Sequence, residues 1–222
     1  LQAKRRQIQS AEKIDGDSTY RDAGDFIADL NRIREALHSV KAEQSARTLM
    51  DPLLTCARIH GFFGYELDVR EESGVHKTTL DDIYGVLGME PPDRRGLEDE
   101  LLSRRPLLSE RLPLAEQTRK TTRVFDSIRQ IQTELGENAV STYIISMTHS
   151  PEDLLRVLLL AREAGLVDLA GDPPRSSLDV VPLFETLDDL NRSADLMGSL
   201  FDSRAYQRQL QAREMRQEIM IG

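Results

Sequence analysis

Two apolar, β-branched runs, AVSTYIISMTH (139–149) and LDVVPLFET (178–186), each lead straight into a helix-start signature. No other feature restricts the fold as strongly. β-Branched and aromatic residues favour strands, and a run apolar on both faces reads as a strand buried on both sides. After the first run, Ser150-Pro151-Glu152-Asp153 offers a capping serine, a proline suited to the first turn and acids for the positive end of the helix dipole. After the second, Thr186 to Asp189 repeats the capping signal, and Leu187, Leu190, Ala194 and Leu200 follow at helical spacing. Glu218-Ile-Met-Ile-Gly222 begins a third strand. Strand, helix, strand, helix, strand over residues 139–222 is the pattern of parallel βαβ units.

Upstream, GYELDVREES (64–73) changes period. Tyr65, Leu67 and Val69 alternate with Glu66, Asp68 and Arg70, which predicts a strand with one charged face. The chain before it reads as helix. Phe26, Ile27, Leu30, Ile33 and Leu37 recur at helical spacing, as do Leu49, Leu53, Leu54 and Ile59. Residues 1–18 read as a polar lead-in. Residues 76–135 return to helix, with a capping signal at Thr79–Asp82, a loop at MEPPDRRG (89–96) and an apolar stripe of Val124, Phe125, Ile128, Ile131 and Leu135. Gly136 and Gly165 stand where helices end.

The expected organisation is therefore a helical lead-in over 1–60 and a partial α/β barrel segment over 61–222, with a helical insertion at about 76–135. The fold class is helix-rich α/β, a partial (β/α)8 barrel with about four parallel strands. In such barrels chemistry sits at the C-terminal ends of the strands. Arg70 with Glu71 and Glu72, Thr148 with His149, and Glu185 with Thr186 fall at those ends.

The formal charge of −9 argues against nonspecific nucleic-acid binding, which needs a basic face, but leaves room for a locally positive anion site. No run of roughly 18 apolar residues is present, so no membrane span is expected. The one cysteine, Cys56, allows no intrachain disulfide and fits a reducing, cytoplasmic setting.

Several of these stretches, in order, carry a family pattern. LDVREESGVH (67–76), IISMTHSPEDLL (144–155), VPLFETLDDL (181–190) and QEIMIG (217–222) resemble segments of the phosphoenolpyruvate carboxylases, and the likeness runs from Gly64 to Gly222. The family usually has glutamine where Glu71 stands, and alanine is common at the position of Thr148. The resemblance implies an enzyme that forms oxaloacetate and phosphate from phosphoenolpyruvate and bicarbonate with Mg2+ or Mn2+, homotetrameric when intact. It implies Arg70 as a phosphoenolpyruvate ligand and Glu185 as a metal ligand. The family's catalytic histidine and lysine motifs have no counterpart here, so no catalytic residue is assigned and the chain is expected to be an internal piece, inactive alone.

From the residues alone, each assignment has a plainer rival. Glu185 could be an acid favouring the helix after it, and Arg70 could pair with Glu66, Asp68, Glu71 or Glu72. His76 reads as a helix-start or loop residue and His149 as a local hydrogen-bonding one. Met and Leu of 196–200 read as core, and Arg204, Arg208, Arg213 and Arg216 as a solvated face. Other readings of the whole are a helical interaction or scaffold protein, and another barrel enzyme acting on phosphoenolpyruvate or pyruvate.

Overall fold

The computed structural model describes residues 20, 22–109 and 111–222. The polar lead-in expected over 1–18 lies outside them. The chain divides into two compact units, Leu1–Glu66 with Ile131–Ala139, and Leu67–Gln130 with Val140–Gly222.

In the first unit, helix α1 (Ala23–Ser39) starts at Asp22, whose side chain accepts from the amide of Asp25 at 3.1 Å. A short helical turn at Glu43–Ser45 and a π-turn at Ala46–Met50 lead into α2 (Asp51–His60). Leu30, Leu54 and Ala57 make a small core, with Phe26, Ile27 and Met50 packed on it. The apolar spacing overstated this core, since Ile33, Leu49, Leu53 and Ile59 are all exposed.

The second unit is built on a parallel sheet of β1 (Asp68–Glu72), β2 (Thr142–Ser146), β5 (Asp179–Phe184) and β6 (Met220–Ile221), in the order β1-β2-β5-β6. Between β2 and β5 lies a short antiparallel pair, β3 (Val167–Asp168) and β4 (Arg175–Ser176), which the sequence reading did not foresee. Its helices are α3 (Ser73–Val86), α4 (Arg94–Leu101), α5 (Glu116–Leu135, which belongs to this unit as far as Gln130), α6 (Pro151–Glu163), α7 (Leu187–Phe201) and α8 (Arg204–Ala212). All four strands of the main sheet run the same way, as βαβ units require. Among the described residues no helix is long and apolar enough to cross a membrane.

Register fixes which side chains share a face. Arg70 stands opposite Ile144, and Ile144 opposite Val181, so these three project from one face, where Ile144, Val181 and Leu183 form a buried cluster with Met220 against it. On the other face Tyr143 stacks on Phe125 of α5, with ring centroids 5.1 Å apart and planes 9° apart, and meets His76 of α3. Helix α6 packs against α3, α4, α7 and the strands around it, which is why Leu154, Leu155, Val157, Leu158, Leu159 and Leu160 are all buried. Gly165 closes α6 in the left-handed region at φ +76°, a conformation that glycine adopts without a Cβ penalty.

Four local expectations change. Strand β1 covers only 68–72, and Tyr65 and Leu67 before it are exposed rather than facing a core. Helix α3 begins at Ser73, directly after β1, so Thr79 is a buried interior residue and not a cap. The loop at 89–96 stops at Asp93, whose carboxylate accepts from the Gly96 amide at 2.8 Å and starts α4 there. The arginines after α7 are not simply a solvated face. Arg208 donates to the carbonyls of Leu169 and Gly171, and Arg213 grips Asp179 at 2.8 and 2.7 Å. They hold the β3–β4 turn and the start of β5 in place. By contrast, Leu196, Met197 and Leu200 are core, as the sequence implied.

Candidate functional site

The C-terminal edge of the parallel sheet gathers the ends of all four strands. Arg70 and Glu72 come from β1, Thr148 and His149 follow β2, Glu185 follows β5, and Gly222 follows β6. Hydrogen bonds order this edge, two of them between neighbouring strand ends and one within the turn after β2. The Ser73 hydroxyl donates to the Met147 carbonyl at 2.6 Å, Thr148 turns its hydroxyl back onto the Ile145 carbonyl at 2.9 Å, and the Gly222 amide donates to the Phe184 carbonyl at 3.1 Å.

The guanidinium of Arg70 forms an ion pair with the carboxylate of Glu185. The two residues lie 115 positions apart in sequence, and β2 runs between their strands. Adjacent strands are about 4.8 Å apart, so the contact spans roughly 10 Å of sheet, a gap that two long side chains can close from one face. Parity puts them there, because Glu185 follows Val181 and Leu183 at two-residue steps and Arg70 shares the row of Val181. The neighbouring acids that sequence offered as partners are not the ones used. Glu71 alternates to the opposite side of β1, and its carboxylate accepts from the Glu72 amide at 3.0 Å. The Arg70 and Glu185 side chains are 54% and 30% exposed, so the pair faces solvent. An ion pair this open stabilises the fold by no more than about 1 kcal/mol.

His149 is the local hydrogen-bonding residue expected. Its Nδ1 lies 3.0 Å from Oδ1 of Asp189, whose side chain is almost wholly buried. Hydrogen bonding from Thr186 holds the Asp189 carboxyl below the usual carboxylate range, against the opposing effect of burial and with further help from His149. A carboxylate that stays ionised only accepts, so His149 donates through Nδ1–H. Sequence reading placed Asp189 only as the end of a capping signal. The signal for more was the pairing of a capping-box acid with a histidine one strand over.

His76 lies in the first turn of α3 but is fully buried, with Nε2 2.8 Å from the Tyr143 hydroxyl and no hydrogen-bond partner at Nδ1. It is remote in role from the edge and belongs to the packing between helix and sheet.

Among the described residues no cluster of three or more histidine, cysteine, aspartate or glutamate side chains could hold a metal ion. The edge does supply a hard oxygen donor in Glu185, with the Glu72 carboxylate on the same face of β1 as Arg70. Magnesium and manganese accept such a donor, and magnesium commonly keeps several waters and takes only one or two protein carboxylates. The residues fit as part of a metal site and do not complete one.

The family model for phosphoenolpyruvate carboxylase matches residues 1–222, the whole chain. The chain belongs to the phosphoenolpyruvate carboxylase family. Among the relatives so named, the protein of Parasynechococcus marenigrum (strain WH8102) is 39% identical over 211 residues, covering 89% of this chain and 20% of that protein. The phosphoenolpyruvate carboxylase of Thermosynechococcus vestitus is 37% identical over 200 residues, covering 86% and 19%, and that of Rhodothermus marinus is 36% identical over 217 residues, covering 90% and 23%. The chain therefore spans about a fifth of the length of these phosphoenolpyruvate carboxylases.

Proposed function

We propose that the chain forms one sector of a phosphoenolpyruvate carboxylase, in which Arg70 binds the anionic substrate and Glu185 is one ligand of a divalent cation. One observation carries this reading: two oppositely charged side chains from different strands meet at the C-terminal edge of a parallel sheet. Residues 61–222 would then be part of a (β/α)8 barrel, whose chemistry gathers at that edge, with residues 1–60 leading into it.

The chemistry asks for these two groups. Phosphoenolpyruvate carries a phosphate and a carboxylate, and its reaction with bicarbonate passes through an enolate. A guanidinium can grip phosphate or carboxylate with two parallel hydrogen bonds. A bound Mg2+ or Mn2+ supplies a positive centre that stabilises charge developing on oxygen. In their absence Arg70 and Glu185 neutralise each other. Because the pair is solvent-facing, separating it costs little, and each group is then free for its own partner.

Two measurements test the proposal. Titration of the purified chain with Mn2+, followed by electron paramagnetic resonance, is expected to show binding that weakens about tenfold or more in Glu185→Gln, a loss of roughly 1.4 kcal/mol. Undiminished binding in the variant removes Glu185 as a ligand. The chain alone is also expected to make no oxaloacetate in a coupled reduction assay, since neither the catalytic histidine nor the catalytic lysine motif of the family has been found in it. Oxaloacetate above background overturns that expectation.

A further inference from the structure

The loops after β2 and β5 open their helices with the same device, an acid at the third helical position that accepts from the backbone of the capping residue. In α6 the acid is Asp153. Its Oδ2 takes the amides of Ser150 and His149 at 2.9 and 3.0 Å, and its Oδ1 is held by Arg156 of the same helix at 2.7 Å. That unit is complete within itself. In α7 the acid is Asp189. Its Oδ2 takes the amide and hydroxyl of Thr186 at 3.3 and 2.7 Å. Its Oδ1 meets Arg192 of its own helix only at 3.5 Å, and its shorter contact, 3.0 Å, is His149 from the neighbouring strand end. A helix cap needs no histidine from another loop. The cross-link is an addition, and it lands one turn from Glu185, the residue just before Thr186.

We infer that His149 is a positioning residue for Glu185. Through the buried carboxylate of Asp189 it ties the end of β2 to the end of β5 and fixes the backbone from which Glu185 reaches Arg70. The inference rests on the reading of Glu185 as a site carboxylate and adds how its place is set. Glu185 must project across a whole strand to meet Arg70, so a small rotation of the Thr186 cap moves its carboxylate out of reach. Both β1 and β5 are held to β2 by a parallel ladder, and the end of β1 is further tied by the Ser73 hydroxyl on the Met147 carbonyl at 2.6 Å, so the His149–Asp189 link does for the end of β5 what Ser73 does for the end of β1. His149 is suited to the task because its donor Nδ1 is fixed close to the ring while the ring spans the gap between loops.

The test uses guanidinium 15N NMR of the chain, in which an arginine held by a carboxylate shows slowed rotation and separate terminal-nitrogen signals. Arg213, paired with Asp179 at the opposite end of β5, is an internal control. Glu185→Gln is expected to average the Arg70 signals, which establishes that they report the pair. His149→Ala is expected to average Arg70 and leave Arg213 separate. His149→Asn, which keeps an N–H near the position of Nδ1, is expected to restore Arg70, and His149→Gln, whose amide nitrogen falls nearer Nε2, is not. The inference is overturned if Arg70 stays separate in His149→Ala while averaging in Glu185→Gln. It is equally overturned if Arg70 and Arg213 average together in both His149→Ala and His149→Gln, which would mean a general loosening of the fold. Loss of the Mn2+ effect at Glu185 would sink the metal reading and leave this geometric result standing, so the two failures are distinct.

Discussion

Replacing Arg162 with methionine is expected to lower the unfolding free energy of the sheet-bearing unit by about 3–5 kcal/mol, the usual cost of removing one member of a buried ion pair. Arg162, at the end of α6, is 9% exposed at its side chain and its partner Glu163 is 5% exposed. Its guanidinium donates to the carbonyls of Glu100, Ser103 and Arg105, which lie at and beyond the end of α4. Glu163 in turn accepts from the amides of Leu107 and Leu108, each at 2.8 Å. The pair is thus the joint that fastens the chain leaving α4 to the end of α6. Methionine keeps the apolar stem but leaves three carbonyls and a buried carboxylate short of donors. Adding Glu163→Gln to Arg162→Met should cost much less than the sum of the single changes, because the stranded charge is then gone. Urea unfolding followed by tyrosine near-ultraviolet circular dichroism measures both. An Arg162→Met protein within about 1 kcal/mol of the parent would show that the joint is solvated and contributes only as a surface pair.

The parts of this fold that were legible in sequence are those whose cause is local. β2 and β5 announce themselves because a strand buried on both faces must be apolar throughout, and α6 and α7 because capping is chemistry between residues three positions apart. The parallel arrangement follows from the alternation of those elements. What failed depends on neighbours that sequence does not supply. Thr79 looks like a cap until the helix is seen to begin at Ser73, where the end of β1 delivers the chain. Arg208 and Arg213 look solvated until the carbonyls of the β3–β4 turn and the carboxylate of Asp179 are seen beside them. Arg70 shows the same limit at the candidate site. Periodicity placed it on the charged face of a strand end, but its partner was sought among adjacent acids. The strand alternation that exposes Arg70 carries Glu71 to the other side, and among the acids left on its own face the contact is made with Glu185, two strands across, and not with Asp68 or Glu72 beside it in sequence. The sequence thus identified both residues of the pair and not the pairing.

The His76 imidazole predicts a loss of stability in mild acid. Burial first, and then the positive charge of Arg156, push its pKa down to about 4, from an ordinary value near 6.5. The unfolded chain takes up a proton at His76 as pH falls through 6.5, while the folded chain resists until about pH 4. Across that window protonation favours the unfolded state, so stability present above pH 6.5 is lost as pH falls through the window toward 4, by about 1.4 kcal/mol per pH unit at most and about 3 kcal/mol in all. Below pH 4 both states are protonated and this group adds no further slope. His76→Gln should be less stable than the parent at pH 7, because glutamine fills the ring's space poorly between Tyr143 and the helix. It should nevertheless lose less stability on acidification, so that the two proteins converge by pH 4.5. Carboxylates elsewhere titrate in both proteins and cancel in the difference. Denaturation curves at pH 7, 5.5 and 4.5 provide the comparison, and parallel decline of the two proteins would mean that His76 accepts a proton in the folded state with rearrangement around Tyr143. That outcome would also take away the reason for Nδ1 to lie buried without a partner, since a neutral ring tolerates one unmet nitrogen far better than a charged ring tolerates the same pocket.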